Sequence, residues 1–235
     1  TDDRGYYIFP QLAIGGPYKV KIEKSGFQNF QSTGNLLNTN ENREVNAKLT
    51  AGSVSQTIQV NANAVQVDTS DTQLKSTVTA QQIEQLPLLG RDASILQKLT
   101  PGTVESSDRF GNYSSNGNQT QMNSYLLDGA DINDGPLQQQ GITVNPDALS
   151  EVTFVTSSQN PEYSRNSGAI VNETIRSGTN AFNCNGFEFY RDTFMNNRNY
   201  FSLPGQRPIF HHNLYGGTLG GPVIKNRLFF FAAYQ

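Results

Sequence analysis

Only two short stretches of this chain carry helical spacing, residues 79–86 and 92–99, and nearly every other patterned segment alternates with period two. A chain so written has to fold mainly from strands. In residues 1–50, Tyr18, Val20 and Ile22 fall on one side of a strand and Lys19, Lys21 and Glu23 on the other. Similar patterns at residues 7–9 and 43–49, with turn signals at Gly15-Gly16-Pro17 and Ser25-Gly26, predict three or four strands of a small antiparallel sandwich with one wet face. About fifty residues are marginal for an independent core, so residues 1–52 read as the back part of a β-sandwich. Residues 53–78 have few large apolar groups and read as a linker with an extended segment, Gln56-Thr57-Ile58-Gln59-Val60-Asn61-Ala62; a last strand of the first domain fits the same pattern.

The first helix is expected from Thr79, which has capping-box spacing to Gln82, up to the stop at Pro87. A second is expected near Asp92–Leu99, with Ile95, Leu96 and Leu99 on one face against a sheet. Strands follow at 124–127, ending in the tight turn Asp128-Gly129, and at 151–156 and 169–176. Between them run two long polar loops, 103–122 and 132–145. Long loops in a compact domain are uncommon unless they do something, so residues 79–180 read as a small α+β domain with functional loops. From residue 181 the texture becomes aromatic strands: Gly186-Phe187-Glu188-Phe189-Tyr190, Asn213-Leu214-Tyr215-Gly216-Gly217-Thr218-Leu219-Gly220-Gly221, and Leu228-Phe229-Phe230-Phe231. The chain stops within the last of these, and an open aromatic edge is an aggregation hazard, so more strands are expected to follow.

Charge and composition remove several classes of function. Seventeen basic against twenty acidic residues leave a net charge of −3, which argues against a nucleic-acid footprint. One cysteine, Cys184, excludes an internal disulfide or a cysteine-based zinc cluster. Residues are only 35% hydrophobic and 16% charged, so amides and hydroxyls supply much of the surface. His211 and His212 are adjacent and point to opposite faces of a strand, which suits no shared metal. The acidic turn Asp128, Asp131, Asn133, Asp134 fails calcium-loop spacing, because Pro136 stands where glycine is required; turn capping is the better reading. The glycine string 216–221 lacks the lysine and helix of a phosphate loop. No catalytic constellation, cofactor motif or metal set is recognisable, so an enzyme is not expected.

The order of short motifs resembles the TonB-dependent receptors of Gram-negative outer membranes, in the Oar-like subgroup with an amino-terminal carboxypeptidase regulatory-like domain. The residues that carry the likeness are Gly5-Tyr6-Tyr7, Gly16-Pro17-Tyr18-Lys19-Val20 and Ser25-Gly26-Phe27 for the sandwich. For the plug they are Ile83-Glu84-Gln85-Leu86-Pro87, Gly90-Arg91, Leu99-Thr100-Pro101-Gly102, Leu127-Asp128-Gly129, Ser150-Glu151-Val152, Ser167-Gly168-Ala169 and Ser177-Gly178-Thr179-Asn180. Gly216-Gly217-Thr218-Leu219-Gly220-Gly221-Pro222 and Leu228-Phe229-Phe230-Phe231 resemble first barrel strands. The resemblance implies a mixed architecture: partial Ig-like β-sandwich 1–52, linker 53–78 with the possible TonB box, α+β plug 79–180, and initial strands of a transmembrane β-barrel from 181 to 235.

It also implies a function: energised uptake of a polar ligand across the outer membrane, with the plug gating the barrel, the plug and amino-terminal domain on the periplasmic side, and TonB as energy-transducing partner. Thr57, Ile58 and Val60 then resemble a TonB box, with Gln56 where an acidic residue is usual. The loops supply ligand contacts: Arg109, Tyr113, Asn118 and Gln119 from the first, Asp134, Gln138, Gln139 and Gln140 from the second. Siderophores, oligosaccharides and peptides all suit such a receptor, with outer-membrane lipid outside the barrel. The alternative is a structural or adhesive surface protein that assembles by strand donation.

Overall fold

A computed structural model describes the chain except residues 11, 40, 53–56, 62–71, 87, 89–90, 107–111, 160, 162, 164 and 198–208. Its contacts divide it into two compact units, Thr1–Gln73 and Leu74–Gln235.

The first unit is a three-stranded sheet of β1 (Gly15–Ile22), β2 (Asn29–Leu37) and β3 (Thr57–Asn61), in that order. Tyr18, Val20 and Ile22 are half-buried while Lys19 and Lys21 are exposed, which is the alternation the sequence predicts. β1 and β2 are antiparallel, and β3 joins β2 in parallel, with Asn29 opposite Thr57 and Thr33 opposite Asn61. The core is thin: Phe30, Ser32 and Asn35 are its buried residues, and Asn35 Nδ2 donates to Ser32 Oγ at 3.0 Å and to the Tyr18 carbonyl at 3.3 Å.

Two expectations change here. Residues 43–49 keep their alternating burial but form no strand; this segment is tied to the sheet by Gln28 N donating to Thr50 O and by the Phe27–Ala51 bridge. Alternation marks an extended chain, and a strand needs in addition a neighbour in register. The expected linker 53–78 instead contributes strands to both units, β3 to the first and β4 (Leu74–Thr79) to the second.

The second unit begins at β4. The helix α1 (Ala80–Gln85) follows, and the predicted cap is present, with Gln82 Oε1 accepting the Thr79 N–H at 2.9 Å. The second expected helix is a 3-10 helix, Ala93–Leu99, capped by Asp92 accepting the Ser94 N–H at 2.9 Å. It buries Ala93, Leu96 and Gln97 but leaves Leu99 62% exposed where the helix ends before Pro101. β5 (Thr103–Glu105) and β6 (Tyr113–Ser115) form a separate two-stranded ribbon within the first long loop.

β7 (Ser124–Leu127), β8 (Ala130–Asp131), β9 (Leu149–Ser157) and β10 (Ile170–Ile175) complete a five-stranded sheet of order β4-β9-β10-β7-β8. Only β10 and β7 are parallel. Because β9 lies near the middle, both its faces are covered, and Val152, Thr153, Phe154 and Val155 are all buried in succession. Val78, Ile83, Ala93, Leu96, Tyr125, Leu149, Val152, Phe154 and Val171 form the main core on the helix side; Leu126, Val155 and Ile170 form a smaller one behind it. Arg176 fastens α1 to the sheet, reaching Glu84 at 2.5 Å and the Leu149 carbonyl at 2.9 Å.

The chain then enters an antiparallel meander of β11 (Asn183–Asp192), β12 (His211–Ile224) and β13 (Leu228–Tyr234). Along β12 the burial alternates. Thr218 and Gly220 are covered, whereas Tyr215, Leu219 and Val223 are 59%, 48% and 60% exposed. Strands of 10 and 14 residues meet the length of about 9–11 that a tilted strand needs to cross a bilayer. The aromatics do not all belong to the open face. Phe187 and Phe189 lie opposite Gly216 and Leu214, on the same side of the wall as Thr218, and turn inward. Tyr215 and Tyr234 turn outward.

Candidate functional site

The two long loops converge on a buried asparagine. Asn123, wholly buried just before β7, accepts the Ala169 N–H on Oδ1 at 2.9 Å and donates through Nδ2 to the Tyr113 carbonyl at 2.7 Å. Its own carbonyl accepts from Asn133 Nδ2 at 3.0 Å and Asn166 Nδ2 at 3.2 Å. Asn133 Oδ1 in turn accepts the Tyr125 N–H at 2.6 Å. One amide thus joins the β5–β6 ribbon, the 132–145 loop and the approach to β10. An amide suits this position because it offers a donor and an acceptor from one planar group. Gly168 packs so closely here that a Cβ would stand 2.5 Å from Asn123 Oδ1 and 2.6 Å from the Met122 carbonyl. Asn123 was not among the expected site residues; its only signal in the sequence is a polar residue set directly before an apolar strand.

Of the residues expected to face a ligand, Gln119 is exposed on the first loop. Asn118 is half-buried and donates to the Ser167 carbonyl at 2.8 Å, bracing the loop. Arg109 lies outside the described residues. Tyr113 is corrected: it is 5% exposed on β6, and its phenol is pushed up to about 12, first by burial and then by the charges of Glu105 and Asp92. In the second loop, Asp134 Oδ1 caps the Leu137 N–H at 2.7 Å and Gln138 Nε2 bonds the Gly135 carbonyl at 2.9 Å, so both side chains serve the turn itself. Gln139 is half-buried, and its carbonyl accepts the Asp134 N–H at 2.8 Å. Gln140 is the second correction. It points into the plug, donating to Glu173 Oε1 and to the Ile142 carbonyl, each at 3.0 Å. Polar loops must satisfy their own backbone groups first, and that requirement uses up most of these side chains.

Glu173, on β10, is 1% exposed, and its Oε2 has no hydrogen-bond partner among the described residues. Burial pushes its carboxyl up to about 7; the Gln140 bond opposes the shift and Asp92 adds to it. On the same core side, Gln97 Nε2 reaches the Tyr125 hydroxyl at 3.4 Å, and burial raises that phenol as well.

The acidic turn caps backbone as expected: Asp128 Oδ1 accepts the Ile175 N–H at 2.9 Å, and Asp131 accepts the Asn133 N–H at 2.8 Å while pairing with Arg165 at 2.5 Å. His211 Nδ1 sits 2.7 Å from Asp192, and His212 packs near Phe210 with ring centres 6.0 Å apart. No group of three metal-ligating side chains occurs among the described residues. Thr57, Ile58 and Val60 lie on β3, with Ile58 opposite Phe30 and Val60 opposite Ser32 in the parallel ladder; Val60 is 41% exposed.

An α+β sheet whose chain leads directly into an antiparallel meander with strands long enough for a bilayer has the arrangement of a plug followed by a barrel wall. Residues 67–171 match the TonB-dependent receptor plug domain and residues 174–235 an outer membrane β-barrel domain. The chain thus carries a match to the plug domain of TonB-dependent receptors followed by a match to an outer-membrane β-barrel domain, which places it in the outer membrane. It is similar to the TonB-dependent transporter Oar of Myxococcus xanthus, 26% identical over 248 residues that take in 100% of this chain and 23% of the relative. The chain therefore spans about a quarter of the length of that curated relative. Among solved structures, the siderophore receptor PirA from Acinetobacter baumannii aligns with a TM-score of 0.49 at 20% identity, covering 67% of this chain and 23% of that one. The alcaligin outer-membrane receptor FauA from Bordetella pertussis aligns at 0.49 and 18%, covering 67% and 24%.

Proposed function

We propose that the intact protein is an energised importer, in which the plug closes the barrel to a polar extracellular ligand until TonB pulls on the amino-terminal side. The observation that carries this reading is the meander β11–β13, in which Thr218, Gly220 and Pro222 of β12 are covered on the plug side while the outer residues Tyr215, Leu219, Val223 and Tyr234 are exposed. Such a wall serves to let something past a removable plug. The unit Thr1–Gln73, with its thin three-stranded sheet, is the part of a carboxypeptidase regulatory-like, Ig-like sandwich that lies with the plug on the periplasmic side. The ligand is a siderophore, an oligosaccharide or a peptide, and outer-membrane lipid meets the free face. Gln119 is the loop residue best placed to touch the ligand. A structural or adhesive role is not favoured, because residues 174–235 match a barrel domain.

β3 is the proposed TonB box. Among the described residues it sits at the end of its sheet order, an edge that a strand of TonB would join by backbone pairing. Proline at position 58 removes a ladder N–H and fixes φ, which a strand in the middle of a pairing segment does not tolerate. Ile58→Pro in the full-length receptor is expected to abolish energised uptake while ligand binding to the same cells is unchanged. Normal uptake by that variant would remove β3 from the role.

A further inference from the structure

Arg91 stands between the plug and the wall. It begins the turn into the 3-10 helix Ala93–Leu99 in a left-handed backbone conformation, φ 55°, that arginine rarely adopts. Its guanidinium pairs with Asp147, and the two side chains are only 16% and 7% exposed. Asp147 is fixed in its own short helix, Pro146–Ala148, by the Asn145 cap at 3.0 Å. The rings of two wall residues, Phe187 and Phe189 of β11, lie over the guanidinium with its carbon 4.3 Å and 4.7 Å from their centres. The rings are themselves paired at 5.7 Å.

The wall is cut to fit this arrangement. Gly216 on β12 lies directly opposite Phe187, and a Cβ there would come within 2.6 Å of the ring's Cζ. The glycine leaves the space that the inward ring occupies. Arg91 Nε is buried without a hydrogen-bond partner among the described residues, so the cation depends on Asp147 and on the two rings to offset its burial. Arginine suits this post because a flat, weakly hydrated cation can pair edge-on with a carboxylate while stacking face-on against rings.

We propose that Arg91 is the catch that holds the plug closed against the barrel wall, and that withdrawal of its guanidinium from Phe187 and Phe189 is the step that frees the plug. This deepens the transport reading by naming the contact that must break before a ligand passes. Asp147 belongs to the plug and the two phenylalanines to the wall, so the ion pair travels with the plug and the stacking is what parts. Removing the stacking weakens the catch while leaving the buried charge paired.

The test uses the full-length receptor in planar bilayers, with plug release by urea read as the onset of ion conductance. Phe187→Leu combined with Phe189→Leu is expected to raise the rate of channel opening roughly tenfold or more at a given urea concentration, because a desolvated cation loses both ring faces. Arg91→Lys, which keeps a charge for Asp147 but not a flat one, is expected to fall between the wild type and the double variant. Heat-modifiable mobility on gels checks that each barrel has folded, and Phe194→Leu, a substitution at a 72% exposed ring away from Arg91, serves as the matched aromatic control. Unchanged opening in a correctly folded Phe187/Phe189 variant, or equal opening in the Phe194 control, would overturn the proposal. The conductance measurement needs no TonB, so a failure of the energised-uptake reading would show in uptake assays and leave this result standing.

Discussion

Replacement of Asn123 by alanine should loosen three segments of the plug at once. The Ala169 N–H and the Tyr113 carbonyl both lose their partners, and neither can turn to water, because Asn123 is wholly buried. An orphaned buried backbone group costs about 1–3 kcal/mol, so two of them amount to roughly 2–6 kcal/mol, a large part of the 5–15 kcal/mol that usually holds a domain together. Hydrogen exchange on the full-length receptor is the direct measure. Protection should fall in residues 113–115, 124–127 and 169–171 together, while β4 and its ladder to β9 keep theirs. Asn133→Ala removes the bond to the Tyr125 N–H and the one to the Asn123 carbonyl, which Asn166 still reaches, and should give a smaller loss confined to β7 and its neighbouring loop. If Asn123→Ala left all three segments protected, the asparagine would not be the knot that the geometry makes it.

The second large effect is one of pH. Glu173 has its carboxyl raised from the ordinary 4.5 to about 7 in the folded plug, so the folded state binds a proton more tightly than the unfolded chain does. That contribution to stability is fully present below about pH 4.5, declines as the pH rises through about 7, and is flat above. A shift of this size corresponds to about 3 kcal/mol between the two ends. The groups that set it are the burial on β10, Asp92 at the cap of the 3-10 helix, and Gln140 from the second loop, whose bond favours the charged form. Plug amides should therefore be better protected at about pH 5 than at about pH 8, after correction for intrinsic exchange. Glu173→Gln, neutral at both, should abolish the difference. A wild-type plug equally stable at both values would show that Glu173 is not the buried acid described here.

Much of the architecture could be read from local pattern, because local pattern is set by nearest neighbours along the chain. The cap at Thr79 and Gln82, the turn at Asp128-Gly129 and the alternation of Tyr18, Val20 and Ile22 all depend on residues within a few positions of one another. The motif order, from the plug signatures to the glycine-rich strand at 216–221, points to the same plug and barrel domains that residues 67–171 and 174–235 match.

Partners distant in the chain are not written in local pattern. Residues 43–49 have a strand's alternation but no ladder, and residues 57–61, expected in a linker, found one in β2. The loops offered a similar lesson: Gln140 and Tyr113 look in sequence like loop side chains free to meet a ligand, yet one bonds Glu173 and the other is buried on β6. Neighbours along the chain set the periodicity, the caps and the turns. Only the tertiary structure decided which asparagine ties the loops, which glutamate loses its water, and that Phe187 and Phe189 turn inward onto Arg91. Each of those outcomes depends on what lies across a sheet or in another element, tens of residues away in the chain, and period two gives a side chain's face without saying what that face will meet.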